Sequence, residues 1–439
     1  MLDIKLIREN PSLVKENIKR KFQNQKLILV DKLLKSDEEW RNVKKEADDL
    51  RHERNTISDK INEAKKKGSD IFLIVKKAKE IPHRISELEI KEKELELEIK
   101  EILLQLPNIL SKKTPIGKDA SQNKTIKKYG KIPKFNFPIK THVELLENLK
   151  LADFDSSSRV AGNGFYYLKD QLALLNQALI RFAIDFMISK KYHYIEPPLM
   201  LHNKEIFASM NKEAIEQSVY SIKDEDLNLI GTAEQALLAM HSGQSINESE
   251  LPKKYFSYSM CFRKEVGAHG INEKGLWRTH QFNKIEQFIF CKPEDSEKLY
   301  DELLKNSEEI IKKLELPYRV LEICAGDLGD WKYRSADLEV YRPTIKEYGE
   351  VMSLSNCTDY QARKLDIKCL DKLGNRRVLH TLNDTALATS RILVTIIENN
   401  QQKDGSIKIP KILQKYMGGL KIIKNENNKR RSKHRRKSR

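Results

Sequence analysis

The segment FRKEVGAHGINEKGLWRTHQFNKIEQF, residues 262–288, decides the fold of this chain. Residues on both sides of its glycine-containing centre alternate between two faces with a period of two, which is typical of β-strands. One of the two faces carries the residues Tyr255, Ser257, Ser259, Cys261, Arg263, Glu265, His280, Phe282, Lys284 and Glu286. The pattern predicts a long antiparallel hairpin with a loop of about a dozen residues. A surface hairpin with solvent-facing charges is the simpler interpretation, but it leaves the mixture of chemistries on one face unexplained.

The bulk composition limits the class of protein. The chain has 439 residues, enough for two or three domains. Its net charge of +17 indicates a polyanionic partner such as nucleic acid, with plain solubility as the alternative. The five scattered cysteines predict reduced thiols and no dedicated zinc site. The N-terminus lacks a signal-peptide core and no apolar run approaches the ~20 residues that span a bilayer, so we expect a cytoplasmic protein without a membrane segment.

Residues 40–106 carry two apolar seams with alternating spacings of three and four. The seams are Trp40, Val43, Ala47, Leu50, Arg54, Ile57, Ile61 and Ala64, then Ile74, Ala78, Ile81, Ile85, Leu88, Glu92, Leu95, Ile99, Ile102 and Leu106. With the glycine turn at 64–70 they predict an antiparallel two-helix coiled coil, each helix about 50 Å long at ~1.5 Å per residue. Arg54 and Glu92 break the seams, and Pro82 is expected to kink or interrupt the second helix. Such a coiled coil is either a structural or dimerising rod or an arm that reaches an anionic ligand.

The remaining sequence predicts an α+β domain, in which helices pack on a mostly antiparallel sheet. Helices are expected at 169–190 and 294–313, and strands at 192–201, around YRVLEIC (318–324) and at 347–368. Thr232 is a predicted helix N-cap, and a further helix is expected to be capped near Asn383–Thr385. We expect four regions: an N-terminal domain with the arm at 1–110, a linker at 111–140, a second domain at 141–420 and a basic disordered tail at 421–439.

The opening hairpin resembles motif 2 of the class II aminoacyl-tRNA synthetases, which consists of an FRxE strand, a variable loop and a strand with an aromatic residue. Pro197 resembles motif 1, and ALATSR (386–391) resembles motif 3 with its terminal Arg391. The arm and the blocks TAE (232–234), HQFNKIE (280–286), SNCTDYQAR (355–363) and HTLN (380–383) resemble the seryl-tRNA synthetases in particular. The likeness covers nearly all of residues 1–419 and fits the common branch without zinc. It implies a class II catalytic domain at 141–420.

The resemblance implies an ATP site on the polar face of the hairpin. Arg263 would bridge the α-phosphate and the attacking carboxylate, and Arg391 would hold the γ-phosphate. Glu265 would accept from the adenine amino group, Phe282 would stack on the ring, and Arg278 would cover adenine or the phosphates. Glu350 and Ser353 would hold Mg²⁺ through hard oxygen ligands. Lys264, Thr279, Val351 and Met352 complete the implied ATP-binding set.

The same resemblance implies a serine site formed by Thr232, Ala233, Glu234, Glu286, Asn383 and Thr385. A site that hydrogen-bonds the substrate hydroxyl would reject alanine, because its own polar groups would be left unpaired. Motif 3 often carries glycines before its arginine, whereas this chain has Asp384, Ala386, Ala388 and Thr389 there. We expect activity to be retained, because small residues still permit close approach.

The implied function is ATP-dependent attachment of serine to tRNA(Ser) through a seryl-adenylate, by a homodimer whose arm grips the tRNA. Selenocysteine tRNA is a second candidate acceptor. Three alternatives remain open: a class II synthetase for another small amino acid, a carrier-protein ligase derived from this fold, and a noncatalytic tRNA-binding relative. The long arm argues against the carrier-protein ligase. The presence of Arg263, Glu350 and Arg391 argues against the noncatalytic relative.

Overall fold

A computed structural model describes residues 1–66, 72–266 and 274–424 of the chain. The chain divides into two compact units, Met1–Ile109 and Leu110–Arg439. Two loops that the sequence singled out fall partly outside the described residues. These are the turn between the two seams, at 67–71, and the centre of the opening hairpin, at 267–273.

The described residues of the first unit form the α-helices α1 (Ile4–Glu9), α2 (Pro11–Arg20), α3 (Leu27–Lys66) and α4 (Phe72–Gln105), with a short 3-10 helix at Asn24–Lys26. Helices α3 and α4 have 40 and 34 residues, which is about 60 and 50 Å at ~1.5 Å per residue. Their predicted seams meet, and the buried members in the described residues are Val43, Ala47, Ile57, Ile81, Ile85, Leu88, Leu95, Ile102 and Leu106. Ion pairs such as Arg51–Glu89 (2.9 Å) and Arg84–Glu46 (2.8 Å) flank the seam. The predicted coiled coil is therefore confirmed.

Several positions in or beside the seams depart from the apolar pattern. Helix α4 continues through Pro82, so of the expected kink or interruption the interruption does not occur. The buried side chains of Ile81 and Ile85 on either side of Pro82 pack against α3 and offset the lost backbone hydrogen bond. Arg54 is exposed, while Glu92 pairs with Lys44 at 3.2 Å, so neither charge is buried in the seam. The side chains predicted at Ala64 and Ile74 lie outside the described part of the structure.

The second unit is an α+β structure. Its helices are α5 (His142–Leu149), α6 (Phe154–Ala161), α7 (Asp170–Ser189), α8 (Asn203–Ser209), α9 (Lys212–Ser218), α10 (Ala233–Ala239), α11 (Ser296–Lys313), α12 (Tyr360–Lys364), α13 (Thr389–Asn399) and α14 (Lys411–Gln414). Its strands are β1 (Lys124–Tyr129), β2 (Ala152–Asp153), β3 (Tyr167–Leu168), β4 (His193–Tyr194), β5 (Met200–Leu201), β6 (Asn228–Leu229), β7 (Ser245–Asn247), β8 (Lys253–Phe262), β9 (Gln281–Cys291), β10 (Tyr318–Glu322), β11 (Arg334–Arg342), β12 (Glu347–Thr358), β13 (Lys368–Leu370), β14 (Arg376–Val378), β15 (His380–Ala388), β16 (Ile407–Lys408) and β17 (Ile422–Ile423).

Eight of these strands form the main sheet, in the order β1-β10-β11-β12-β15-β9-β8-β4. Every neighbouring pair is antiparallel except β4 and β8. Strands β8 and β9 are the predicted hairpin, and Cys261 lies opposite Phe282 in their register. The prediction of a mostly antiparallel sheet is confirmed.

The two faces of the sheet pack against different helices. On β9, Ile285 and Ile289 belong to the main core, which includes the apolar sides of α7, α11 and α13. Phe288 and Phe290 face the other way, into a smaller cluster with residues of α10 and the α12 region. Helix α7 is long and apolar enough to cross a bilayer by composition alone, but its predicted stripe, including Leu172, is buried in the main core. The face that carries Phe288 and Phe290, called the second face below, is thus covered by helices at one end.

Several boundaries differ from the expectation. Residues 124–129 of the expected linker form the edge strand β1, because their backbone pairs with β10. The expected strand at 192–201 is reduced to β4 and β5 by the intervening Pro197 and Pro198. The last long helix begins at Thr389, not near Asn383–Thr385, because the preceding residues pair with β9 and β12. Ile422–Ile423 of the expected tail pair with Ile407–Lys408, and residues 425–439 lie outside the described chain.

Candidate active site

A cavity of about 440 Å³ opens on the second face of the main sheet. It brings together fifteen residues predicted from the sequence: Thr232, Glu234, Arg263, Glu265, Arg278, Thr279, Phe282, Glu286, Glu350, Val351, Met352, Ser353, Asn383, Thr385 and Arg391. Two predicted residues do not line it. Ala233 is buried in the first turn of α10, and Lys264 donates its backbone N–H to Ser218 O at 2.9 Å.

One end of the cavity is formed by the predicted nucleotide residues. The Arg263 guanidinium lies 5.3 Å from the centre of the Phe282 ring, and its Nε donates to Gly231 O at 3.1 Å. Arg278 donates to the Glu265 carboxylate at 2.7 Å. Glu265 has a φ of +52°, a left-handed conformation that is uncommon for a residue with a side chain. The structure therefore joins the two sides of the hairpin through an ion pair at this end.

Arg391, the first-turn arginine of α13, lies beside Glu350. Its Nη1 donates to Glu350 O at 2.9 Å and lies 3.1 Å from Glu350 Oε2. Burial favours the neutral form of Glu350, but the charge and hydrogen bond of Arg391 outweigh burial and lower the pKa of this carboxyl. Glu350 is therefore held ionised at this end of the cavity.

A β-bulge aligns Glu350 with Ser353. In a regular strand, residues three apart point to opposite faces. In β12, Met352 pairs with Leu338 but Glu350 pairs with Glu339, which leaves Val351 as an extra residue. Val351 and Met352 are both buried in the main core, so Glu350 and Ser353 face the cavity together. Glu350 and Ser353, the two implied magnesium ligands, are three residues apart and can face the same cavity only because of this bulge.

Trp277 lies under the arginine of motif 3. Its ring centre is 5.5 Å from the Arg391 guanidinium and 4.2 Å from that of Arg342. Arg342 is anchored by Glu398, to which its Nη2 donates at 2.9 Å. A Cβ added at Gly349 would approach Trp277 to 2.4 Å, so the indole needs glycine there. The Trp277 ring thus contacts two guanidinium groups.

The other end of the cavity holds two carboxylates and a lysine. Lys284 Nζ lies 2.6 Å from Glu286 Oε2 and donates to Thr232 Oγ1 at 3.1 Å. Asn383 Nδ2 donates to Glu234 Oε1 at 3.0 Å. Burial raises the pKa of Glu234, and the charge of Glu286 raises it further. Burial also raises the pKa of Glu286, although Lys284 opposes the shift. Both carboxylates therefore favour a cationic ligand group.

Asp384, one of the residues that stand where motif 3 often carries glycines, does not line the cavity. Asp384 is fully buried on the opposite face of the sheet, where Ser307 Oγ donates to its Oδ2 at 2.6 Å and Gln287 Nε2 at 2.9 Å. Burial raises its pKa well above the ordinary value. Asp384 thus belongs to the packing against α11, while its neighbours Asn383 and Thr385 face the cavity.

Sequence reasoning assigned no site role to several residues that line the cavity. These include Lys284, Trp277, Trp331, Lys332 and four residues of α9 and its end, Ala214, Gln217, Ser218 and Val219. Lys284 could have been found, because it shares the period-two face of Phe282 and Glu286. Trp277 and Lys332 lie outside helices and strands, where no periodicity marks their direction.

Two family models match the chain. Residues 218–400 match the tRNA synthetase class II core domain (G, H, P, S and T). Residues 1–110 match the seryl-tRNA synthetase N-terminal domain. The antiparallel sheet, its arginine-bearing hairpin and the arginine at the start of α13 thus define a class II aminoacyl-tRNA synthetase.

Comparison with individual relatives identifies the family within this class. The serine–tRNA ligase of Methanocella arvoryzae is 43% identical over 425 residues, which cover 96% of this chain and 100% of that protein. The crystal structure of seryl-tRNA synthetase from Pyrococcus horikoshii complexed with ATP matches with a TM-score of 0.93 and 42% identity, over 97% of this chain and 100% of the other. The cytoplasmic enzyme of Naegleria fowleri in complex with AMP matches with a TM-score of 0.88 and 32% identity, over 97% and 99%. The chain belongs to the seryl-tRNA synthetase family.

Proposed function

We propose that this protein joins serine to ATP as seryl-adenylate and then transfers serine to tRNA(Ser). The observation that carries the proposal is one cavity with cationic groups at one end, Arg263 and Arg391, and two carboxylates at the other, the half-buried Glu234 and the buried Glu286. Phe282 and Glu286 lie four residues apart on β9, about 13 Å at ~3.3 Å per residue. That span accommodates a nucleotide beside a small amino acid.

The nucleotide end fits ATP. Phe282 offers a face for adenine, and Glu265, oriented by Arg278, offers an acceptor for the adenine amino group. The charge that develops on phosphate oxygens calls for fixed cations more than for covalent chemistry. We propose that Arg263 bridges the α-phosphate and the substrate carboxylate, and that Arg391 binds the γ-phosphate so that pyrophosphate leaves in line. Thr279 and the backbone of Val351 and Met352 complete the wall.

The carboxylate end fits serine. Its ammonium group is the natural partner of Glu234 or Glu286, and Thr232, Asn383 and Thr385 supply polar groups for the hydroxyl. Alanine would leave those groups unpaired, which costs about 1–3 kcal/mol for each buried group. We therefore expect alanine to be rejected through lost hydrogen bonds, and threonine through the size of its extra methyl group.

The residues present fit a magnesium ion that accompanies ATP. Glu350 is held ionised and Ser353 offers a hydroxyl on the same side of the bulged strand, and both are hard oxygen ligands. Mg²⁺ would neutralise phosphate charge there.

The first unit is proposed to bind tRNA. Lysines such as Lys45, Lys60 and Lys93 are exposed on α3 and α4, where they can contact phosphates. We also propose a cytoplasmic homodimer, joined near motif 1, where Tyr194, Leu199 and Met200 are exposed beside the edge strand β4. Sedimentation at working concentration tests the dimer, and a monomer would contradict it.

The activity is tested by ATP–pyrophosphate exchange on the purified protein with serine, threonine, alanine and glycine. We expect exchange with serine, and loss of exchange in the Arg263→Ala variant. Exchange driven best by another amino acid would support the nearest alternative, a class II synthetase of different specificity. No exchange with any of the four, together with tRNA binding, would support a noncatalytic relative. Charging of tRNA(Ser) and of selenocysteine tRNA then identifies the acceptor.

A further inference from the structure

The buried side chain of Gln361 on α12 connects three elements around the serine end of the cavity. It is fully buried, and its Nε2 donates to Glu234 Oε1 at 2.8 Å and to Ser209 O at 3.0 Å. Its Oε1 accepts from Thr381 Oγ1 at 2.7 Å. Both amide hydrogens are therefore used. The opposite orientation of the amide would set its oxygen against a carboxylate and a carbonyl, so these partners fix one orientation.

Glu234 is oriented by this amide. Its Oε1 accepts from two amide groups, those of Gln361 and Asn383, while no residue in the described ranges donates to its Oε2. Glu234 also lines the cavity. The carboxylate thus has one oxygen engaged with the protein and the other available to a ligand.

The second bond of Gln361 reaches the wall of the cavity. Ser209 ends α8, and the next residue, Met210, lines the cavity. Lys364, three residues after Gln361 on α12, donates to Phe207 O at 3.0 Å and to Met210 O at 2.9 Å. Helix α12 therefore holds the turn at 207–210 through two side chains, of which only Gln361 also contacts Glu234.

We propose that Gln361 is a positioning residue that aims the Glu234 carboxylate at the substrate ammonium group and ties it to the turn at 207–210. The inference rests on the proposed function and adds a residue outside the cavity lining to the serine site. Glu234 is half-buried in the cavity wall, and removing the amide leaves its carboxylate with a single donor there. A partly desolvated carboxylate that loses a donor is more costly to ionise and less well oriented. Serine binding should weaken, while the ATP end, which Gln361 does not contact, should not change.

The test compares Gln361→Met with Lys364→Met in ATP–pyrophosphate exchange. Methionine keeps the length of glutamine and removes its hydrogen bonds. We expect Gln361→Met to raise the KM for serine about 10- to 100-fold, the range for losing a hydrogen bond to a charged group, and to leave the KM for ATP within about twofold. Lys364→Met loosens the same turn without touching Glu234, so its KM for serine should stay near that of the parent protein. Equal rises in both variants, or no rise in Gln361→Met, would overturn the proposal.

A second variant keeps the proposal open to refutation if Gln361→Met does not fold. Gln361→Glu can donate to Glu234 only while its own carboxyl is protonated, and its ionised form repels Glu234. Its KM for serine should therefore rise relative to that of the parent protein as the pH rises from 6 to 8. A KM for serine in Gln361→Glu that follows the parent pH profile would refute the role. Absence of serine-dependent exchange in the parent protein would instead refute the proposed function itself.

Discussion

The substitution Glu398→Gln tests the buried ion pair between Glu398 and Arg342, whose guanidinium contacts Trp277 in the cavity wall. Glu398 is fully buried near the end of α13. It accepts from Thr344 Oγ1 at 2.7 Å and Arg342 Nη2 at 2.9 Å, and its Oε1 lies 3.1 Å from His142 Nδ1. Burial alone would raise its pKa, but the hydrogen bonds from His142 and Arg342 outweigh burial and lower the pKa from 4.5 to about 2. The folded state therefore stabilises the ionised form of Glu398 more than the unfolded chain does.

The expected loss of stability follows from that difference. The interval between 4.5 and about 2, at ~1.4 kcal/mol per pH unit, corresponds to ~3 kcal/mol of unfolding free energy at neutral pH. Because the folded-state pKa is the lower one, this contribution is complete above pH ~4.5 and disappears as the pH falls toward 2. Glutamine cannot ionise, so the difference between the parent protein and Glu398→Gln should shrink over the same interval.

Urea unfolding followed by tryptophan fluorescence measures the effect. In a Trp40→Phe background the remaining tryptophans, Trp277 and Trp331, both lie in the second unit. Glu347→Gln, on an exposed residue, is the matched control and should change the unfolding free energy by less than about 0.5 kcal/mol. A loss below ~1 kcal/mol in Glu398→Gln at pH 7, or a loss that persists unchanged at pH 3, would refute the reasoning.

Four further predictions concern the two substrate sites and tRNA binding. Gly349→Ala should raise the KM for ATP and leave that for serine nearly unchanged, because the added Cβ would lie 2.4 Å from Trp277, and steady-state exchange kinetics measure both. Burial raises the pKa of Glu234 and of Glu286, so the ionised fraction of both carboxylates decreases as the pH is lowered. The KM for serine should therefore rise as the pH is lowered, and a KM that does not change with pH would contradict this. Deleting residues 30–105 should spare serine-dependent exchange and abolish tRNA charging, and raising the salt concentration should weaken tRNA binding far more than serine binding; joint loss of both activities would count against the division of labour.

Period and spacing predicted much of this structure because they report local geometry. The alternation around residue 263 identified β8, β9 and the face that carries Phe282 and Glu286, and those residues do line the cavity. The seams of α3 and α4 were equally readable, because the same spacing repeats over many turns. In both cases each residue's direction follows from its own neighbours in the chain.

Features set by distant partners could not be read in this way. Residues 383–388 were expected near a helix start, but pairing with β9 and β12 holds them in a strand as far as Ala388. Trp277 reaches the cavity from an irregular segment, and its place depends on Arg342 and Gly349 from the paired strands β11 and β12. Gln361 stands in a recognisable block, yet its contacts with Ser209 and Glu234 join segments more than a hundred residues away.

The extra residue in β12 makes chain length, and not only chemistry, a condition for this end of the cavity. Deleting Val351 would restore a regular strand and turn either Glu350 or Ser353 toward the apolar core, although both residues would still be present in the sequence. Replacing Val351 by another apolar residue would leave the count, and hence the pair, in place. Insertions and deletions between 349 and 354 should therefore be far less tolerated than substitutions, and homologous chains are best compared here by residue count.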